Sequence, residues 1–284
     1  MAQKRGPTLR AQWLGQQLYE ARTAAKLRMV DAAEYLLRDQ GSISRWESGS
    51  VPPKPADVMA LLNLYGVDDL AQRDALERLS RDTWRKGWWD GFSGQIADDF
   101  IDYAWLEDRA ISIRMFSALV IPGLLQTRAY AKAVIRVFDA DATEAQIERG
   151  LQFRVSRQEL LARDDTPRLQ VILDEALLRR PVGGAKAMRA QLDHLSELSR
   201  RKAVELRVLP FSAGAHAGQQ GAFQIFEQPD PFAEVAYAET LAGSNYVESD
   251  KVDRFIRAYA QIHQASLSLE KSAALLRSAA KELA

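Results

Sequence analysis

The sequence predicts two domains of different class: an all-α N-terminal domain of five short helices and a larger, mixed α/β (α+β) C-terminal domain. Three observations carry this. As far as residue 86 the apolar residues recur at helical spacing between tight, polar joints. The run KGWWDGFSG, residues 86–94, gathers glycine and tryptophan and breaks the pattern. From residue 167 onward, segments alternate or run apolar with branched residues, as strands do. The expected division is therefore 1–86 and 87–284.

In the first domain, residues 9–25 place Leu14, Leu18, Ala21 and Ala25 on one side of a helix. Residues 29–37 give a second helix with Ala32, Ala33 and Leu36 facing in. Asp39 is a helix N-cap for the third, QGSISRWESG. Ser48-Gly49-Ser50 ends it, and Val51-Pro52-Pro53 forbids its continuation. Residues 55–65 open on a proline, carry Val58, Leu61, Leu62 and Tyr65, and stop at Gly66; residues 68–86 make a fifth, more charged helix. Trp84, Trp88 and Trp89 are expected to pack between that helix and the next domain. Beyond the junction, helices are expected over 98–110, 127–138, 143–163, 185–200, 250–268 and 269–282. The segment 111–125 starts as a candidate strand and turns at Pro122-Gly123; further strands are expected over 168–176, 204–211, 221–227 and 234–240.

Composition narrows the function. Basic and acidic residues balance at 38 each, so any surface for nucleic acid or membrane must be local. The absence of cysteine excludes disulfides, thiolate zinc sites and iron–sulfur clusters. The start of the chain has no apolar core run, so no secretory signal is expected. No stretch approaches the roughly 20 apolar residues of a membrane helix. A cytoplasmic protein is expected.

The joint Leu37-Arg38-Asp39 between two short helices, with apolar positions at Ala33, Leu36, Ile43 and Trp46, fits a helix-turn-helix. Helix three would offer its outer face to the major groove of double-stranded DNA. On that face Gln40 suits adenine, Arg45 suits guanine or phosphate, and Ser42 and Ser44 suit either. Gly41 reads nothing but lets the backbone approach closely. Up to residue 60 there are nine basic and six acidic residues, an excess of three positive charges. Lys4, Arg5 and Arg10 suit a backbone or a minor groove, although the first few residues of a chain are commonly mobile.

The run AAEYLLRDQGSISRWESGSVPP resembles the helix-turn-helix of the phage-repressor (Cro/C1, or xenobiotic-response-element, XRE) family, with Ala33, Ser42-Ile43-Ser44-Arg45, Glu47, Gly49 and Pro53 at the matching offsets. The resemblance covers about residues 10–75 and implies a structural pair between Arg22 and Glu47. It also implies a phosphate contact at the start of helix two, where this chain has Met29; Arg28 just before it can replace that contact by charge. Arg28, Arg38 and Lys54 are the expected phosphate anchors. GWWDGF, IRMFSALVIPGLLQTRAYAKAVI, RVSRQELLAR, ILDEALLRRPVGGAKAMRAQLDHL and LRVLPFSAGAHAGQQGAFQIFE are similar to the large C-terminal domain of actinobacterial, antitoxin-like regulators. That likeness implies a homodimer and a small partner protein bound by this domain.

Enzyme signatures are missing. His194, His216 and His263 have no metal-ligand spacing, so no metal or cofactor is expected, and neither a G-x-S-x-G elbow nor a phosphate loop occurs. Asp174-Glu175 reads as an acid pair or, more simply, as a helix cap and first-turn acid. Pro181-Val182-Gly183-Gly184 reads as an anion seat or a tight turn into a helix. Ser212 to Gly221 reads as a flexible loop, with or without a ligand to cover. The expected function is a dimeric, sequence-specific DNA-binding transcription regulator on a near-palindromic operator. The alternatives are a small-molecule-sensing regulator and an antitoxin-like protein that mainly captures a small partner.

Overall fold

The first four helices end where the backbone is turned through the left-handed region, and two of those turns lack glycine. The structure, a computed structural model, describes residues 8–84, 87–92, 94–96, 98–230, 232–241 and 243–283. Helix α1 (Leu9–Ala24) is capped by Thr8, whose hydroxyl accepts the Ala11 N–H. Lys26, at φ 59°, closes it with paired bonds from Lys26 N–H to the Thr23 carbonyl and Leu27 N–H to the Arg22 carbonyl. Helix α2 (Met29–Tyr35) ends the same way at Leu37, φ 53°, with Arg38 N–H on the Ala33 carbonyl. It is shorter than the expected 29–37, and Leu36 is only half-buried in the turn. Helix α3 (Gln40–Glu47) is capped by Asp39, and α4 (Pro55–Leu64) starts on proline and closes at Gly66, φ 67°. Helix α5 (Leu70–Trp84) completes the bundle with Ala75, Leu76 and Leu79 against the core formed by Leu14, Leu18, Ile43, Val58, Leu61 and Leu62. The Trp84 indole donates to the Pro53 carbonyl at 2.8 Å, inside this unit.

The chain divides into two compact units, Met1–Gly91 and Phe92–Ala284, with the division inside the glycine–tryptophan run. The second unit is α+β. Helix α6 (Asp98–Arg109) leads into β1 (Ser112–Ser117). Helices α7 (Arg128–Phe138) and α8 (Glu144–Gln158) follow, then β2 (Arg168–Asp174), a short α9 (Ala176–Arg179) and α10 (Ala185–Leu198). Next come β3 (Val204–Leu209), β4 (Phe223–Glu227), β5 (Val235–Thr240) and β6 (Gly243–Val247), and last α11 (Val252–Ala265) and α12 (Leu269–Glu282).

The six strands form one mixed sheet in the order β3-β2-β1-β4-β5-β6. β1, β2 and β3 are parallel and joined by helical crossovers; β4, β5 and β6 return antiparallel. Helix α11 lays Val252, Tyr259 and Ile262 on Phe116, Ile172, Ile225 and Ala236 of the sheet. The free edge of β3 is closed by the joint between the last two helices: Leu267 N–H donates to the Val208 carbonyl at 2.9 Å, and Val208 N–H to the Ser272 hydroxyl at 3.0 Å.

A buried ion pair ties α8 to α6. Arg157 Nε and Nη2 each donate to a carboxylate oxygen of Glu107 at 2.7 Å, and the guanidinium lies 4.7 Å over the Tyr103 ring. Burial alone would lower the basicity of Arg157, but the Glu107 charge outweighs it and holds the group above its ordinary value.

Candidate nucleic-acid interface

Helix α3 is two-faced because its apolar residues are three apart. Ile43 and Trp46 are buried in the bundle, while Gln40, Gly41, Ser44 and Arg45 are exposed and Ser42 is half-buried. Gly15 of α1 lets α3 dock closely: a Cβ there would meet the Trp46 carbonyl oxygen and stand 2.7 Å from that of Glu47. Gly49, at φ 70°, makes a similar close approach to the backbone of Gln12.

Arg22 and Glu47 fasten this docking. Arg22 Nε donates to Glu47 Oε1 at 2.6 Å, Nη2 to Oε2 at 2.9 Å, and Nη1 to the Leu27 carbonyl at 2.7 Å. Both side chains are more than nine-tenths buried, and the hydrogen bond to Glu47 raises Arg22 above its ordinary value. Tyr65 is buried beside the pair, and its hydroxyl has no hydrogen-bond partner among the described residues. Burial and then the Glu47 charge push that phenol well above its usual range.

On the outer face, Asp39, Ser42 and Arg45 form one network. Asp39 Oδ1 accepts the Ser42 N–H at 2.9 Å, and Oδ2 accepts the Ser42 hydroxyl at 2.6 Å. The Ser42 hydroxyl in turn accepts Arg45 Nη2 at 2.9 Å, which is 3.6 Å from Asp39 Oδ1. The Ser42 hydroxyl is the main reason that the Asp39 carboxyl is held below its usual range. Gly41 lies under this network: a Cβ there would be 2.9 Å from Asp39 Oδ1 and 3.1 Å from Arg45 Nη1. The Gln40 and Ser44 side chains carry no hydrogen bond to described residues and stay free for a partner.

The expected phosphate anchors are exposed, and two of them are paired. Arg28 Nη2 meets Asp31 Oδ1 at 2.9 Å, and Arg38 Nη2 meets Asp57 Oδ1 at 3.5 Å. Lys54, the residue before α4, is exposed with no ion pair among the described residues. Lys4 and Arg5 lie outside the described residues. Arg10 does not belong to a DNA-contacting arm: it is 5% exposed, donates to the Asp82 carbonyl at 3.2 Å and lies 6.0 Å over the Trp89 ring. Its place on the first turn of α1, facing α5, puts it in the bundle.

Sequence reasoning treated Asp39 only as a cap and missed Asp31 and Asp57 as partners. The three-residue spacing Asp39–Ser42–Arg45 was a usable signal, since residues three apart on a helix are neighbours. The Arg38–Asp57 pair joins the turn between α2 and α3 to α4, nineteen residues on, and had no local signal.

The second unit shows structural uses for the residues singled out there. At the end of β2, Asp174 Oδ1 accepts the Ala176 N–H at 2.8 Å, and Glu175 is itself the N-cap residue of α9 and not a first-turn acid; its carboxylate pairs with Arg179 at 3.1 Å. Gly183 and Gly184, at φ 76° and 86°, make the turn into α10. The segment from Ser212 to Gly221 is more ordered than a bare loop. Two short 3-10 turns occupy it, Nδ1 of His216 accepts the Gly218 N–H at 3.2 Å, and Gly218 is pressed on the Phe116 ring. His263 Nε2 is 3.1 Å from Glu205 Oε1, and burial lowers His194. Among the described residues no group of three or more His, Cys, Asp or Glu is placed to hold a metal ion. No described helix is long and apolar enough to cross a membrane.

Two family models match parts of the chain. Residues 13–76 match a family model described as a helix-turn-helix domain, the span that holds α2 and α3. Residues 100–278 match the family described as Domain of unknown function (DUF5753). No curated protein and no solved structure matches the chain. With more than half of its length inside that second match, the chain belongs to the DUF5753 family and carries a helix-turn-helix domain ahead of it.

Proposed function

We propose that the chain is a sequence-specific DNA-binding transcriptional regulator of the XRE (Cro/C1) type, not an enzyme. The observation that carries this is the two-faced α3. Ile43 and Trp46 anchor it, and Gln40, Gly41, Ser44 and Arg45 stand outward from the first to the last turn of a helix braced by α2. Arg28, Arg38 and Lys54 flank it on exposed positions suited to phosphates. Two copies would bind half-sites about one helical turn apart. The second domain would supply dimerisation and bind a small partner protein in the cytoplasm. Its likeness to actinobacterial, antitoxin-like regulators supports that part.

The test is footprinting of the full chain on its own genomic DNA, followed by titration of the recovered site. Arg45→Ala is expected to bind that site about tenfold or more weakly, the worth of a good arginine–base contact, with an unaltered melting temperature. Equal binding by the variant and the parent would remove Arg45 from the reading face.

A further inference from the structure

Helix α3 presents a short exposed stretch in which one arginine has already been given a direction. The Ser42 hydroxyl has a single proton, and Asp39 Oδ2 takes it at 2.6 Å. The hydroxyl can then act toward Arg45 only as an acceptor, and it accepts Nη2 at 2.9 Å. Arg45 thus lies back toward the N-terminus of its helix, the direction long helical side chains take. The place it lies over is Gly41, where an added Cβ would be 3.1 Å from Nη1 and 2.9 Å from Asp39 Oδ1. Both neighbours are ends of flexible side chains. A Cβ would therefore push the guanidinium aside without disturbing the backbone.

We propose that Asp39, Gly41 and Ser42 are specificity-determining positions that aim Arg45 at a guanine in the major groove. The proposal rests on the DNA-binding reading above and deepens it. The guanidinium has protons beyond the one given to Ser42, and two of them match the O6 and N7 acceptors that guanine alone presents as a pair. A side chain held in place before binding gives up less freedom on binding. The Asp39 carboxylate repels phosphate oxygens, so the same brace disfavours a contact of Arg45 with the DNA backbone. Ser42 is accordingly a positioning residue and not a reader, and Gly41 is the seat of the guanidinium and not a gap in the reading face.

The test is in vitro selection from a library of random DNA duplexes, run with the full chain as parent, Arg45→Ala, Gly41→Ala and Asp39→Asn. Asparagine keeps a capping oxygen for the Ser42 N–H. The parent is expected to enrich a motif containing a guanine whose preference Arg45→Ala abolishes. Gly41→Ala and Asp39→Asn are each expected to weaken that one preference by roughly tenfold while leaving the rest of the motif intact. Gly41→Ala should melt no lower than the parent, because alanine favours a helix over glycine. Full guanine preference in both variants would overturn the proposal. So would a uniform loss across the motif with a lowered melting temperature, which marks a folding defect. A parent that enriches no motif fails the DNA-binding reading itself, and the proposal with it. A motif that survives Arg45→Ala unaltered keeps that reading and removes only the proposal.

Discussion

Arg22 uses its guanidinium in three directions at once, two toward Glu47 and one toward the Leu27 carbonyl. The pair contributes to stability mainly through what its loss would leave behind, a carboxylate buried beside the Tyr65 hydroxyl, which has no partner among the described residues. Arg22→Ala is expected to cost about 3 kcal/mol or more, read from urea unfolding of the full chain; an unmoved midpoint for the N-terminal unit would show that the pair adds nothing. The two charged positions were legible through the spacing that the helix-turn-helix resemblance supplies. The third partner was not. The Leu27 carbonyl reaches Arg22 because Lys26 adopts φ 59°, a conformation that glycine would have announced and lysine does not. Leu37 hides the end of α2 in the same way, which is why the expected helix ran two residues too far. Gly66, by contrast, marked the end of α4 plainly.

Between elements, what the sequence shows least is how closely two backbones approach. The apolar spacing of α1 and α3 identifies the faces that meet. The presence of Gly15 on the α1 face, directly over the last carbonyls of α3, emerges only in three dimensions. Backbone oxygens cannot swing away as side chains do, so Gly15→Ala must lever α3 off α1. The expected loss is about 2 kcal/mol in thermal or urea unfolding, opposite in sign to the gain alanine brings to an isolated helix. A variant as stable as the parent would mean that α3 docks with more slack than the structure shows. In the second unit, β1 to β5 were visible as branched or alternating segments. β6 was not, because GSNYV at the sheet edge is largely polar and buries little. Short α9 likewise lacks the length for a helical period to register.

At the scale of the whole molecule, the all-helical and α+β classes are legible because strand-like segments occur only beyond the glycine–tryptophan run. The order β3-β2-β1-β4-β5-β6 is not legible, since it depends on pairings between distant segments. The balanced charge, 38 basic against 38 acidic residues, has a local counterpart on the candidate interface. Arg28, Arg38 and Arg45 each stand beside an aspartate: Asp31, Asp57 and Asp39. Cations already neutralised by fixed anions displace fewer of the small ions condensed on a duplex when they approach it. Association with random-sequence DNA should therefore be weak, with a salt dependence shallower than its count of arginines suggests. Removing one fixed anion reverses this: Asp57→Asn is expected to steepen the log–log salt slope by about one. An unchanged slope between low and moderate salt would show that Arg38 never meets a phosphate. The aspartates make the surface a poor general polyelectrolyte binder, so that residence on DNA depends on sequence and not on charge.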